Sequence, residues 1–331
     1  MKTKHVMLES DKIYVAGHRG MAGAAIIRRL QREGFENIIT RSHAELDLTD
    51  RDAVNDFFRS EKPDYVFLAA AKVGGIQANW EAQDQFLYAN TMIAFHVIMS
   101  AFENHVKKFC FLGSSCIYPR ECPQPIREEY LLASPLEITN EGYALAKISG
   151  LKLCEYLNTK YPDRADFISV MPCNLYGPGD NYHPEHSHVI PALLRRFHEA
   201  KESARSEILL WGTGSARREF LHVDDMADAC FFLMQNYSGD AGVQPFMPGI
   251  SWVNAGYGQD ITVRELGEKI AAITGFEGDI LYDAIHPDGT PKKLLDSSKL
   301  FRLGWKPRIS LDEGLRKTYE DYRVNQENYR K

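Results

Sequence analysis

The apolar positions of this chain fall into short unbroken runs separated by amphipathic stretches. Ile13–Ala16 (IYVA) is wholly apolar and stops at Gly17, the pattern of a strand buried on both faces. Residues 21–33 follow with Met21, Ala25, Ile26 and Leu30 on one side, which predicts a helix closed by Gly34. The spacing then predicts a strand over 37–40, a helix over Arg51–Glu61 behind Asp50 as N-cap, and a strand over 65–70 (YVFLAA). A long helix over 85–104 is apolar on most of its surface. It is followed by a strand at Lys108–Leu112, a helix over 143–160 and a strand over 167–171. Strand and helix alternating in this way predict an α/β fold: a doubly wound, Rossmann-type parallel sheet, which binds ligands beyond the carboxyl ends of its strands.

After about residue 176 the alternation loosens. A His/Pro-rich stretch (180–188) leads into a basic amphipathic helix at 190–202. Further strands are expected at 208–211 and 252–254, and helices over Val263–Thr274 and 311–322. We expect residues 1–179 to form a dinucleotide-binding domain with a returning segment near 219–259. Residues 180–331 are expected to form mainly a smaller α/β substrate domain.

Composition narrows the class. Of 331 residues 44% are apolar, and 39 basic against 45 acidic side chains leave a net charge of −6. That balance points away from nucleic acid and anionic membranes and leaves room for a local basic pocket that takes one phosphorylated ligand. The opening MKTKHVMLES lacks the apolar run of a signal peptide, and no stretch approaches 18 consecutive apolar residues. The six cysteines form no CxxC pair, so reduced thiols, a cytoplasmic location and no metal are expected.

Candidate chemistry sits at the predicted strand ends. Gly17, His18, Arg19, Gly20, Met21, Ala22 and Gly23 form a glycine turn between the first strand and first helix, where backbone N–H groups can receive a diphosphate. An NAD site places a carboxylate at the end of the second strand; here Arg41 stands there, and Arg19 lies in the turn. Two guanidinium groups suit a 2′-phosphate, so NADPH is the expected cofactor. Asp47 and Leu48 either face the adenine or flank the second helix. Tyr143 and Lys147, four apart, share a helix face, and an ammonium there is expected to draw the phenol down from its ordinary value near 10. Ser114 could hold the same substrate oxygen. Tyr156 and Lys160 repeat the spacing near the helix's far end and read as surface.

Longer blocks are more specific. GHRGMAG, AAAKVGG (69–75), LGSSCIYP (112–119), YALAK (143–147), NLYGP (174–178), SHVIPALLRRFHEA (187–200), REFLHVDDMA (218–227) and PDGTPKKLLD (287–296) resemble the GDP-L-fucose synthase family of extended short-chain dehydrogenases/reductases. The resemblance covers about residues 11–320. It implies an NADPH-dependent 3,5-epimerase–4-reductase that turns GDP-4-keto-6-deoxy-D-mannose into GDP-L-fucose, as a homodimer built on the two long helices. It places the epimerising acid/base pair on Cys116 and His188, residues that alone would read as a small buried hydrophobe and a loop-capping histidine. A thiolate beside cationic neighbours and an imidazole both suit proton exchange near neutral pH. Ser114, Tyr143 and Lys147 would serve the reduction of C4 by hydride from NADPH.

By the same resemblance the cofactor would meet the glycine turn, Arg41, Leu46, Leu112, Gly113, Ser114, Ser115, Lys147, Pro172, Asn174, Leu175 and His188. The GDP-sugar would meet Arg196, Trp211, Arg218 and Asp288. Three departures stand out: Cys173 where the family commonly has Thr, Gly142 where it has Pro, and about seven extra N-terminal residues. Rival readings are a GDP-colitose or GDP-heptose epimerase–reductase, a sugar 4-epimerase recycling bound NAD, and a non-catalytic NADPH-binding scaffold.

Overall fold

The computed structural model describes residues 5–238, 251–283 and 290–329. Along the first half run β1 (Ile13–Ala16), α1 (Met21–Arg32), β2 (Ile38–Ile39), α2 (Arg51–Glu61) and β3 (Tyr65–Leu68). Then follow α3 (Ile76–Glu81), α4 (Gln83–Glu103), β4 (Lys108–Leu112), α5 (Glu141–Lys160), β5 (Phe167–Pro172) and β6 (Asn174–Tyr176). The second half holds α6 (Val189–Glu202), β7 (Glu207–Trp211), β8 (Arg217–His222), α7 (Val223–Asn236) and β9 (Trp252–Ala255). It ends with β10 (Asp260–Thr262), α8 (Val263–Thr274), β11 (Asp279–Asp283), β12 (Lys292–Lys293), α9 (Ser298–Arg302) and α10 (Leu311–Asn325).

The central sheet is wholly parallel in the order β2-β1-β3-β4-β5-β9, so the expected doubly wound fold is present and β9 returns from far along the chain to close it. Its strands are buried on both faces, which is why they read as continuous apolar runs rather than alternating ones. Two strands are shorter than their apolar patterns. The second is confined to Ile38–Ile39, and the third stops at Leu68 because residues 69–70 turn beneath the glycine loop.

Lys108, at the start of β4, is fully buried, and its ammonium donates to the carbonyls of Leu233 (3.0 Å), Met234 (2.8 Å) and Tyr237 at the carboxyl end of α7. A cation there answers both the orphan carbonyls and the negative helix end. The side chain of Asn158 bonds the N–H (2.9 Å) and carbonyl (2.6 Å) of Phe167, fixing α5 to the start of β5.

α4 and α5 pack side by side, and the apolar residues of neither are confined to one stripe. By length and hydropathy α4 could cross a bilayer, yet it lies against α5 and α2 with 44% of its most apolar window buried. A second sheet forms around β8, which pairs with β6, β10 and β12, while β7 pairs with β11. A separate apolar cluster there includes Tyr176, Leu194, Phe197, Leu210, Phe220 and Leu266. The sheet core, by contrast, also takes in Leu295, Leu300 and Trp305 from late in the chain.

Candidate active site

The glycine turn leaves β1 and enters α1. Gly17 has φ +87°, and a Cβ on it would stand 2.6 Å from the Ala70 nitrogen, so only glycine lets the turn pass the end of β3. A Cβ on Gly23 would stand 2.2 Å from the Gly17 oxygen, which draws α1 close against the turn. Gly20 is the N-cap of α1 and offers no side-chain cap, which leaves the helix's first N–H groups for an anion. These features fit a dinucleotide diphosphate. Arg19 is exposed. Arg41 donates to the Thr40 carbonyl (2.8 Å), pairs with Glu61, and lies 5.4 Å from the Phe57 ring centre. Part of the charge expected for a 2′-phosphate is therefore answered within the protein. Leu46 is buried nearby, and Pro172, Asn174 and Leu175 follow at the carboxyl end of β5, with Asn174 Nδ2 bonded to the Glu219 carbonyl (2.8 Å).

At the carboxyl end of β4 the chain runs through Leu112, Gly113, Ser114, Ser115 and Cys116. Ser114 caps a short 3₁₀ turn, its Oγ accepting the Cys116 N–H at 3.3 Å. Lys147 of α5 reaches back to donate to the Leu112 carbonyl at 2.8 Å, and its ammonium lies 5.7 Å from the Tyr143 ring centre. The fold thus brings Ser114, Cys116, Tyr143 and Lys147 into one group. Tyr156, on the repeated spacing, is 61% exposed and belongs to the surface.

The charge balance differs from expectation. Burial pulls the Lys147 ammonium down to about 8, with Cys116 opposing. Burial also pushes the Tyr143 phenol well above its ordinary value, and the nearby thiol adds to the rise. The Lys147 ammonium is turned toward the Leu112 carbonyl, and removal from water decides the direction at Tyr143. The Cys116 thiol, 7% exposed, is likewise raised by burial, although Lys293, Ser114 and Lys147 all act to lower it. In this arrangement Tyr143 is held as the neutral phenol and Cys116 as the thiol.

His188 stands at the N-cap of α6, and no side-chain hydrogen bond joins it to the Tyr143 group among the described residues. The residue keeps exposed surface, yet partial burial of its ring lowers the imidazole below its ordinary value. A neutral imidazole can accept a proton at neutral pH.

In the layer around β8, Arg196 of α6 donates to the Leu209 carbonyl, and Arg218 of β8 donates to the carbonyls of Arg217 (2.8 Å) and Thr290 (2.6 Å). Trp211, at the end of β7, is 70% exposed. Asp288 lies outside the described residues. One group was not singled out by sequence: Lys293, which stands opposite Arg218 in the β12–β8 ladder and acts electrostatically on Cys116. Nothing in PKKLLD separates Lys292 from Lys293; only the register with β8 does. Among the described residues no cluster of His, Cys, Asp or Glu could hold a metal ion.

A dinucleotide turn and a Ser/Tyr/Lys group on one sheet edge define an oxidoreductase-type nucleotide-sugar fold. The model of the NAD dependent epimerase/dehydratase family matches residues 13–245, and the chain belongs to that family. It is 55% identical over 317 residues to GDP-L-fucose synthase 1 of Arabidopsis thaliana, covering 96% of this chain and 94% of that one. It is 50% identical over 323 residues to the GDP-L-fucose synthase of Escherichia coli K12, covering 98% and 100%. A GDP-mannoheptose C4 reductase from Campylobacter jejuni, solved with NADP bound, superposes with a TM-score of 0.86 at 38% identity over 96% of this chain and 99% of that one.

Proposed function

We propose that this chain converts GDP-4-keto-6-deoxy-D-mannose to GDP-L-fucose, epimerising C3 and C5 and then reducing the C4 ketone with NADPH. The observation that carries the reading is the convergence of Ser114, Cys116, Tyr143 and Lys147 at the end of β4, held by the bond from Lys147 to the Leu112 carbonyl. The glycine turn and Arg41 would hold the cofactor, which when bound supplies hydride to C4. Cys116 and His188 exchange the protons at C3 and C5 on opposite faces of the sugar, the ketone making those protons acidic through an enolate. Tyr143, kept protonated by its burial, gives its proton to the C4 oxygen; Ser114 orients that oxygen, and Lys147 supplies the positive field. Arg196, Arg218 and Trp211 suit a diphosphate and an aromatic base, and the resemblance adds Asp288 to the substrate-binding set.

The sheet layer serves the cofactor and the β8 layer the GDP-sugar, and the chain works in the cytoplasm, where its six free thiols would stay reduced. Leu145 and Tyr156 on α5, with Leu87 and Tyr88 on α4, remain exposed on the two long helices. That surface supports a homodimer built on a four-helix interface. Light scattering of the purified chain should give twice the chain mass; a stable single-chain mass overturns the dimer. For the activity, the test is incubation with the keto sugar and NADPH, followed by loss of NADPH absorbance and NMR of the product. GDP-L-fucose is expected. A different 4-reduced GDP-sugar such as a colitose or heptose type would move the substrate assignment, and no turnover would leave a binding scaffold.

A further inference from the structure

The segment over 177–187 leaves β6, skirts the glycine turn and ends at His188. At its near end Gly179 lies against the first residue of α1, for a Cβ on it would stand 3.9 Å from the Met21 Cα. At its far end His186 lies against the 74–75 turn, a Cβ on Gly75 standing 3.3 Å from the His186 carbonyl oxygen. Between them the segment is braced by its own bonds, from the Asp180 N–H to the Gly177 carbonyl (3.2 Å) and from Asn181 Nδ2 to the His186 carbonyl (3.2 Å). It therefore links the dinucleotide turn to the proposed base.

The end of the chain grips this segment. The Gly179 N–H points at both Asp321 Oδ2 (3.3 Å) and the Tyr329 hydroxyl (3.4 Å), and that hydroxyl donates to the same Asp321 oxygen. Tyr182 packs its ring against Tyr322 and Tyr329, with centres 4.5 and 4.6 Å apart. A cavity of about 290 Å³ opens between Arg19, Gly20 and Met21 on one wall and Asp321, Asn325 and Tyr329 on the other. The tail is thus a wall beside the phosphate-binding end of α1.

We propose that Asp321 and Tyr329 are positioning residues: a latch that holds the 177–187 segment against the glycine turn and so sets how long the dinucleotide stays bound. The inference rests on the cofactor reading above. A segment already fixed in the free protein need not be ordered on binding, and an unfixed one lowers affinity by that ordering. The carboxylate acts here as an acceptor for two donors of the protein, not as a ligand of the cofactor.

The test is titration of the full chain with NADP⁺, with dissociation rates from stopped flow, for the parent, Tyr329→Phe, Asp321→Ala, the double variant and Asp321→Asn. Losing these hydrogen bonds should weaken binding roughly three- to tenfold in each Phe or Ala single variant, mostly through faster dissociation. The double variant should be no weaker than Asp321→Ala, because the two groups act as one unit. Asp321→Asn, which keeps an acceptor, should recover most of the loss. Parent-like binding by either single variant overturns the latch. So do simple additivity, an Asn variant no better than Ala, and tighter binding by Asp321→Ala, which would mean that the carboxylate merely repels the diphosphate. A parent chain that fails to bind NADP⁺ sinks the cofactor reading instead.

Discussion

Replacing Tyr143 by Phe separates the two halves of the proposed chemistry. The ring is half-buried on α5, and among the described residues its hydroxyl donates to no protein group, so its removal orphans no partner and should change folding stability little. What is lost is the acid. Burial holds the phenol well above its ordinary value, so at neutral pH it is fully protonated and ready to donate. A positioned general acid contributes about 10²–10⁴-fold, which corresponds to roughly 3–5 kcal/mol on the barrier of ketone reduction. Cys116 and His188 remain in place, so exchange at C3 and C5 should continue near the parent rate. Single-turnover loss of NADPH absorbance measures the first process. Deuterium uptake into the keto sugar from D₂O with NADP⁺ bound, read by NMR, measures the second. Full-speed reduction by Tyr143→Phe refutes the assignment of the acid; loss of exchange with a folded protein would move Tyr143 into the epimerisation.

Three further outcomes follow from the same geometry. Because burial brings the Lys147 ammonium to about 8, its field is present below that pH and lost as pH rises through it; the rate of reduction should fall along a limb near 8, and a limb left at the ordinary 10.5 would contradict this. Arg41→Ala should reduce the preference for NADPH over NADH by about ten- to hundredfold, the worth of a charge-assisted bond, as measured by the ratio of kcat/KM values; an unchanged ratio removes Arg41 from the 2′-phosphate site. Gly142→Pro should destabilise the chain by about 1–3 kcal/mol in calorimetry. The first atom of a side chain there would stand 2.5 Å from the Gln83 carbonyl oxygen, and the N–H now bonded to Gln83 Oε1 at 3.0 Å would be lost.

The central sheet was legible because parallel strands buried on both faces leave unbroken apolar runs, and the glycine turn because its spacing follows from backbone contact. Edges were less legible: the apolar positions after Leu68 belong to the turn beneath Gly17, which no periodicity distinguishes from strand. The Tyr143/Lys147 pair could be chosen over Tyr156/Lys160 by its distance from the strand-end serines. The direction of the Tyr143 shift could not be read, since it depends on burial and on which way Lys147 points. Lys293 stayed hidden for a similar reason, its role arising from a two-residue ladder with β8. Asp321 and Tyr329 carry no local signal at all, being joined to Gly179 from 142 and 150 residues away.

The return of β9 to the sheet bears on how the chain is made. β5 presents a six-residue, mostly apolar edge that stays uncapped until Trp252–Ala255 has left the ribosome, roughly 80 residues later. At synthesis rates of roughly 5–20 residues per second that edge waits about 4–16 seconds, open to pairing with a neighbouring nascent chain. Newly made protein should therefore depend on chaperone cover during this interval far more than finished protein does on refolding, and slowing translation between β5 and β9 should lower the soluble yield.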